Sequence, residues 1–169
     1  MLTTPLTTKQ PDGILAVIVI GPLSKPKDIP EETPNTVDST IAFAQQFIER
    51  HYKGPVRYKL LGEQFSAKVL DQSVIIEAAE LMATGEWDVL IAENLSRICR
   101  NPLHQYNFVQ NCVDVGTRLI CIADSLDTAD QNWETMVSLA TLRHWLSVPD
   151  TRRRIKRTAR GSSHGGDVC

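Results

Sequence analysis

Residues 87–92 have the sequence WDVLIA and run directly into ENLSRICRNP at residues 93–102, and these two segments together decide the fold. The first is a short apolar run with branched side chains, which is typical of a buried strand. The second is polar and ends at Pro102, a residue favoured in the first turn of a helix. A buried strand that leads through a polar loop into a helix is the repeating unit of a parallel α/β sheet.

The rest of the chain repeats this alternation of strands and helices. Further strands are predicted at residues 14–20, 56–61 and 118–123. Helices are predicted at residues 36–52, 73–84, 102–115 and 130–147, with a short one at 151–160. We therefore expect an α/β fold with a mainly parallel four-to-five-stranded sheet, flanking helices and a long C-terminal helix. The predicted divisions are a flexible N-terminus (1–13), one domain (14–148) and a basic tail (149–169).

Composition limits the class of protein. The chain has 169 residues, of which 42% are hydrophobic and 22% are charged, as expected for a single globular domain. The longest apolar run, residues 14–20, is much shorter than the roughly 20 residues of a membrane-spanning helix. The four cysteines contain no C-x-x-C pair, so we expect a cytoplasmic protein with no structural metal site and no cofactor.

Charge is distributed unevenly along the chain. Residues 151–169 contain six basic residues and one acidic residue, so this tail has a net charge of +5 and residues 1–150 have a net charge of −7. A basic tail on an acidic body favours contact with a polyanion such as DNA. The alternative is a solvated, disordered terminus without a partner. The candidate DNA-binding residues of the tail are Arg152, Arg153, Arg154, Lys156 and Arg157.

Two of the predicted loops carry candidate functional residues. Ser24 follows the first strand, and Arg97 and Arg100 follow the third strand at the entry to a helix. Carboxyl ends of parallel strands are where such folds bind ligands. Two guanidinium groups three residues apart on one helical face, close to free backbone N–H groups, suit a phosphate. The alternatives are a solvated turn serine and a surface ion pair with Glu93.

The order of these segments resembles the catalytic domain of the serine recombinases of the resolvase and invertase type, over residues 14–160. The resemblance is carried by Ile20-Gly21-Pro22-Leu23-Ser24, Glu63-Gln64-Phe65-Ser66-Ala67, Leu70-Asp71-Gln72-Ser73, Leu95-Ser96-Arg97-Ile98-Cys99-Arg100, the strand at 116–120 and the acidic turn at 124–128.

This resemblance implies a function and a set of site residues. Ser24 would attack a DNA phosphodiester and form a phosphoseryl bond, while Arg97 and Arg100 would hold the phosphate. Ser66 would lie among the DNA-binding residues. Such chemistry needs positioned positive charge rather than a metal ion. The implied partners are DNA and a second copy of the chain, bound through the C-terminal helix.

The chain departs from the family's pattern at three polar positions. Pro22 and Gln72 stand where the family has arginines, and Ser96 stands where it has an acid. Proline has no charge or N–H, and glutamine cannot make the bidentate contact of a guanidinium. We therefore expect strand cleavage to be very weak or absent. Pro149 interrupts the last helix, and no helix-turn-helix reader is expected in the 20 residues that follow.

Two other functions are compatible with the sequence. Cys112 and Arg118 have the Cys-x5-Arg spacing of thiolate phosphatases, although the cysteine ends a predicted helix rather than a strand. The chain could instead be an inactive DNA-associated or dimerising module. Exposed apolar residues on the last helix would favour dimerisation, because a helix that is apolar on more than one side needs a second partner. The candidates are Leu139, Leu142, Trp145 and Leu146.

Overall fold

The fold is described from a computed structural model, which covers residues 2–21, 36–62 and 70–147. The strands are β1 (Leu15–Ile20), β2 (Val56–Leu61), β3 (Val89–Ala92), β4 (Arg118–Cys121) and β5 (Leu126–Asp127). The helices are α1 (Thr36–His51), α2 (Leu70–Ala83), α3 (Leu95–Ile98), α4 (Pro102–Val115) and α5 (Trp133–Ser147). None of these helices is long and apolar enough to cross a membrane.

The five strands form one sheet in the order β2-β1-β3-β4-β5. The first four are parallel, and the two-residue β5 runs antiparallel to β4. The predicted α/β fold with a mainly parallel sheet and a long helix α5 is therefore confirmed. The interior strand β1, between β2 and β3, is buried along its whole length, as expected for a strand covered on both faces.

Alternate residues of β1 contribute to two separate apolar layers. Ile18 and Ile20 pack with residues of α2, α3, α4 and α5 on one face of the sheet. Val17 and Val19 pack with Ala44 and Ile48 of α1 on the other face. This alternation follows from the two-residue period of a strand, and it explains why the apolar run is continuous.

Residues 2–13 lie against the second layer of the core, although their composition predicts a flexible terminus. Leu6 is buried in the same cluster as α1, and the Thr8 hydroxyl donates to the Asp88 carboxylate at 3.0 Å. Two guanidinium N–H groups of Arg118 donate to the carbonyls of Thr4 and Pro5 at 2.8 and 2.9 Å. Packed structure therefore begins well before residue 14.

The strand β2 lies at one edge of the sheet and exposes two basic side chains. Arg57 and Lys59 are exposed and alternate with half-buried residues along the strand. The Arg57 guanidinium lies 5.0 Å from the centre of the Trp87 ring. This cation–π contact, together with a hydrogen bond from the guanidinium to the Glu86 carbonyl at 2.8 Å, holds the long side chain toward the residues that precede β3.

Element boundaries differ from the sequence predictions in places where the local hydrogen bonds explain the difference. Pro102 begins α4 and Gly116, at φ 75°, ends it, both as predicted. Helix α5 begins at Trp133 rather than at residue 130, because residues 130–132 form a turn in which the Asn132 N–H donates to the Asp130 carboxylate. The predicted helix at 151–160 lies outside the described residues.

Candidate active site

The carboxyl ends of three neighbouring strands meet at one edge of the sheet. Ile20, the last residue of β1, is in register with Leu61 at the end of β2 and with Ala92 at the end of β3. The predicted loops that carry Ser24, Ser66 and the arginine pair therefore all start from adjacent positions. Ser24, Ser66 and Pro22 themselves lie outside the described residues, and so does the side chain of Gln72.

Arg97 belongs to α3, a single helical turn directly after β3. The Asn94 side chain caps this turn by accepting a hydrogen bond from the Arg97 N–H at 3.1 Å, as asparagine commonly does at the start of a helix. The Arg97 Nε donates to the Glu93 carboxylate at 3.1 Å, and the two side chains are 38% and 50% exposed. An ion pair with this much exposure contributes at most about 1 kcal/mol, so a phosphate could displace Glu93.

Arg100 lies beyond the end of α3, and the two arginines do not share one helical face. Cys99 between them has extended backbone angles, φ −152° and ψ 139°, and it is buried. The spacing of three residues predicts a common face only within a continuous helix. Arg100 is exposed, and among the described residues it has no ion pair or hydrogen bond. It is therefore the more available of the two guanidinium groups.

Ser96 stands at the position where the resemblance has an acid, and it takes part in the cap of α3. Its hydroxyl donates to the Asn94 side-chain oxygen at 2.6 Å. That oxygen also accepts the Arg97 N–H, so the serine stabilises the capped turn without adding negative charge. The local fold of α3 is thus maintained although the acid is absent.

Sequence reasoning gave no structural role to two buried polar residues beside α3, although one of them, Asp124, lies in the acidic turn at 124–128. Asp124 follows β4, and its carboxylate accepts a hydrogen bond from the Leu95 N–H at 2.7 Å. Gln105 lies on the buried face of α4, and its amide donates to the Cys99 carbonyl at 2.6 Å. A glutamine within an otherwise apolar helical face was the available signal, because a buried amide requires hydrogen-bond partners.

The phosphatase hypothesis based on Cys112 is wrong. The Cys112 thiol lies inside the core 3.6 Å from the Met82 sulfur, and burial raises its pKa to about 12. A thiolate nucleophile requires the opposite shift. Arg118 begins β4 and pairs with the Asp127 carboxylate at 2.6 Å, so it does not belong to a phosphate loop with Cys112.

The remaining predicted contacts with DNA fall in the basic tail. Arg152, Arg153, Arg154, Lys156 and Arg157 lie outside the described residues. Within residues 2–21, 36–62 and 70–147, no group of three or more His, Cys, Asp or Glu side chains could hold a metal ion. The described part of the candidate site therefore consists of Arg97 and Arg100, with the buried groups around α3 beside them.

A solved structure of a known protein shares this fold. The N-terminal catalytic domain of TP901-1 integrase superimposes with a TM-score of 0.54 at 11% identity, covering 83% of this chain and 98% of the integrase domain. A resolvase family site-specific recombinase from Streptococcus pneumoniae gives a TM-score of 0.49 at 17% identity, with 86% and 99% of the two chains covered. No curated protein matches the sequence.

The sequence itself matches the family model described as the resolvase N-terminal domain over residues 32–165. The match includes α1 to α5 and the arginine pair, and it begins after β1 and Ser24. It covers most of the chain, and the family predicted from the sequence motifs is confirmed. Its sheet and helices have the fold of the resolvase N-terminal domain family, and the chain therefore belongs to that family.

Proposed function

We propose that this chain binds DNA as a serine-recombinase-type domain and that its strand-cleaving activity is weak or lost. The observation that carries the proposal is the register between β1 and β3, which aligns Ile20 with Ala92. Because these strands are neighbours, the loop with Ser24 and the segment with Arg97 leave the sheet side by side. Family membership supplies the substrate class, and a DNA partner is consistent with a cytoplasmic location.

The chemistry proposed for the site is a reversible phosphoryl transfer. The Ser24 hydroxyl gives up its proton as its oxygen forms a bond to phosphorus, while the bond from phosphorus to one deoxyribose oxygen breaks and that oxygen takes up a proton. Attack by a deoxyribose hydroxyl on the phosphoseryl bond rejoins the strand and releases the serine. Arg97 and Arg100 would stabilise the negative charge that develops on the non-bridging oxygens.

The weakness of cleavage is proposed from what surrounds the arginines. Pro22 and Gln72 remove two guanidinium groups that the resemblance places near the phosphate. Removal of one donor of this kind typically reduces the rate by about 100-fold to 1000-fold. In addition, the Arg97 Nε already donates a hydrogen bond to the Glu93 carboxylate, so a phosphate has to replace that carboxylate. Binding tolerates these losses better than catalysis, because binding also uses contacts distant from the reacting atoms.

A second proposed property is dimerisation through α5. Four apolar side chains on this helix are between 39% and 52% exposed: Leu139, Leu142, Trp145 and Leu146. Removing them from water would contribute about 25 cal/mol for each square ångström buried. An inactive module that only dimerises or associates with DNA is the alternative function, and it would retain this face.

The first experiment measures affinity for DNA. Fluorescence anisotropy with a 20-base-pair duplex would compare the wild type with Arg97→Ala/Arg100→Ala over a series of salt concentrations. We expect weaker binding. The slope of the logarithm of affinity against the logarithm of salt concentration should also decrease, by the equivalent of about two phosphate contacts. The matched control is Arg50→Ala, an exposed arginine in the last turn of α1. Equal losses in the two variants would contradict a phosphate site at the arginine pair.

The second experiment tests strand cleavage. The protein would be incubated with a library of random-sequence duplexes, and covalent protein–DNA adducts would be counted after denaturation. We expect no more than a trace with the wild type and an increase with Pro22→Arg/Gln72→Arg, removed again by Ser24→Ala. An abundant Ser24-dependent adduct with the wild type would show that cleavage is retained.

A further inference from the structure

Helix α3 is attached at its N-terminal end to α5 through a buried carboxylate. The Asp124 side chain is only 2% exposed. One of its oxygens accepts the Leu95 N–H at 2.7 Å, and the His144 Nε2 lies 3.0 and 3.1 Å from the two oxygens. The exposed Arg143 guanidinium is farther away, at 3.8 Å. Asp124 thus joins the first residue of α3 to α5.

The C-terminal end of α3 is attached to α5 through a buried amide. The Gln105 side chain donates from Nε2 to the Cys99 carbonyl at 2.6 Å. Its Oε1 accepts a hydrogen bond from the Thr141 hydroxyl at 2.9 Å. This amide orientation is fixed, because reversing it would place two oxygens, Oε1 and the Cys99 carbonyl, against each other. Gln105 therefore joins Cys99, at the C-terminal end of α3, to α5.

These two connections reach the same side of α5. Thr141 and His144 are three residues apart within one helix, so they project from one face. We call Asp124, His144, Gln105 and Thr141 the α3 anchor. Breaking either connection would leave buried polar groups without partners, which is unfavourable. The α3 anchor therefore resists a change in the distance between α3 and α5.

The single turn of α3 depends on such contacts for its position. It has four residues, far fewer than an isolated helix needs to be stable in water. Arg97 lies on this turn, and Arg100 follows Cys99, whose carbonyl the anchor holds. A displacement of one end of α3 would consequently displace the arginines relative to the ends of β1 and β2.

We propose that Asp124 and Gln105 are positioning residues for Arg97 and Arg100, and that they transmit the position of α5 to the phosphate site. This inference rests on the proposed function of the arginine pair. Neither positioning residue is proposed to touch DNA. A movement of α5 would change the affinity for phosphate through the two buried connections.

The test is a mutant cycle measured by DNA affinity. Thr141→Val removes the hydrogen bond from α5 to Gln105, and His144→Leu removes the hydrogen bond from α5 to Asp124. By contrast, Thr141→Ser and His144→Gln retain a donor at each position. In the wild-type background we expect Thr141→Val/His144→Leu to weaken binding of the 20-base-pair duplex about fivefold. In the Arg97→Ala/Arg100→Ala background the same pair of changes should have less than about a twofold effect.

The outcomes separate the inference from the function on which it rests. If Arg97→Ala/Arg100→Ala weakens binding but Thr141→Val/His144→Leu does not, the phosphate site stands and the positioning role is overturned. If the anchor variant weakens binding equally in both backgrounds, its effect is general and the positioning role is again overturned. If the arginine variant binds DNA as the wild type does, both proposals are overturned. Retained affinity in Thr141→Ser/His144→Gln supports the hydrogen bonds as the cause.

A second measurement applies to the single variant Thr141→Val, which changes a half-buried side chain to one of nearly the same shape. Hydrogen exchange should become faster at the backbone amides of residues 97–99, while the amides of β3 retain their protection. Unchanged exchange at 97–99 would overturn the connection through Gln105 without any measurement of DNA binding.

Discussion

The carboxylate of Asp88 accepts a hydrogen bond from the backbone N–H of Lys9 at 2.9 Å, across 79 positions of sequence. The same carboxylate accepts the Ala16 N–H at 2.9 Å and the Thr8 hydroxyl at 3.0 Å. Asp88 is the residue that precedes β3, and its one buried side chain thus joins the N-terminal segment to β1.

Asp88→Ala should destabilise the protein, because it leaves the buried Ala16 N–H and the Lys9 N–H without acceptors. We expect the free energy of unfolding in urea to fall by about 3 kcal/mol. Asp12→Ala is the matched control, since Asp12 accepts the Ile14 N–H at an exposed site, and it should cost less than about 1 kcal/mol. Equal effects of the two changes would show that the buried hydrogen bonds to Asp88 stabilise the fold no more than the exposed one to Asp12.

Ser125→Gly should stabilise the protein. Ser125 has φ 53° in the turn after β4, a left-handed conformation that costs a residue with a Cβ atom more than it costs glycine. After the entropy that glycine adds to the unfolded chain, we expect a gain of about 0.5 kcal/mol, measured by thermal unfolding. Ser138→Gly in α5 is the control and should lose about 1 kcal/mol. A loss at both positions would contradict the turn geometry.

Alkaline pH should destabilise the fold through the buried thiols. Burial raises the pKa of Cys112 to about 12 and that of Cys121 well above 9.0. Above pH 9 the unfolded chain therefore releases protons that the folded chain retains, and the free energy of unfolding falls as the pH rises. Between pH 8 and 11, the wild type should lose stability more steeply than Cys112→Ala/Cys121→Ala. Parallel curves would contradict burial as the cause.

The same burial predicts slow chemical modification. In a Cys99→Ser/Cys169→Ser background at pH 8, Ellman's reagent should react with Cys112 and Cys121 only at the rate of unfolding, since thiolate is the reactive form. Addition of urea should release both thiols at once. Rapid reaction of either thiol in the native protein would show that the layer between the sheet and α4 is open.

Introducing charge into the apolar face of α5 should dissociate a dimer. Leu139→Glu/Leu142→Glu places two carboxylates where apolar side chains would meet, and we expect the molecular mass in sedimentation equilibrium to fall from dimer to monomer. The matched control is Ile76→Glu on α2, which also replaces an exposed apolar side chain and should leave the mass unchanged. A monomeric wild type would rule out this interface at the concentrations tested.

Sequence patterns predicted the fold well where one local signal dominates. The apolar run of β1 and the Pro102 and Gly116 boundaries of α4 each reflect a single physical rule about burial or backbone angles. The short elements α3 and β5 were missed because four and two residues are too few for a periodic signal. The N-terminal segment was missed because its binding depends on Asp88 and Arg118, which are more than 70 positions away in sequence.

The candidate site was predicted only in part. Arg97 and Arg100 were named as candidates, but they do not share a helical face, because Cys99 and Asn101 have extended backbone angles. Proline disfavours helical angles in the residue before it, and Asn101 before Pro102 has ψ 120°. Asp124 and Gln105 could not be connected with α3 by sequence alone, since each hydrogen bond depends on how separate elements pack together.

The basic side chains on the edge strand β2 have a consequence for solubility. An uncovered edge offers unpaired backbone groups to any other strand, and this is a common start of aggregation. If two copies approached edge to edge, Arg57 and Lys59 of one would meet the same cations of the other. Replacing both with threonine or valine would create a strand suited to such pairing, and the protein should then precipitate more readily at high concentration.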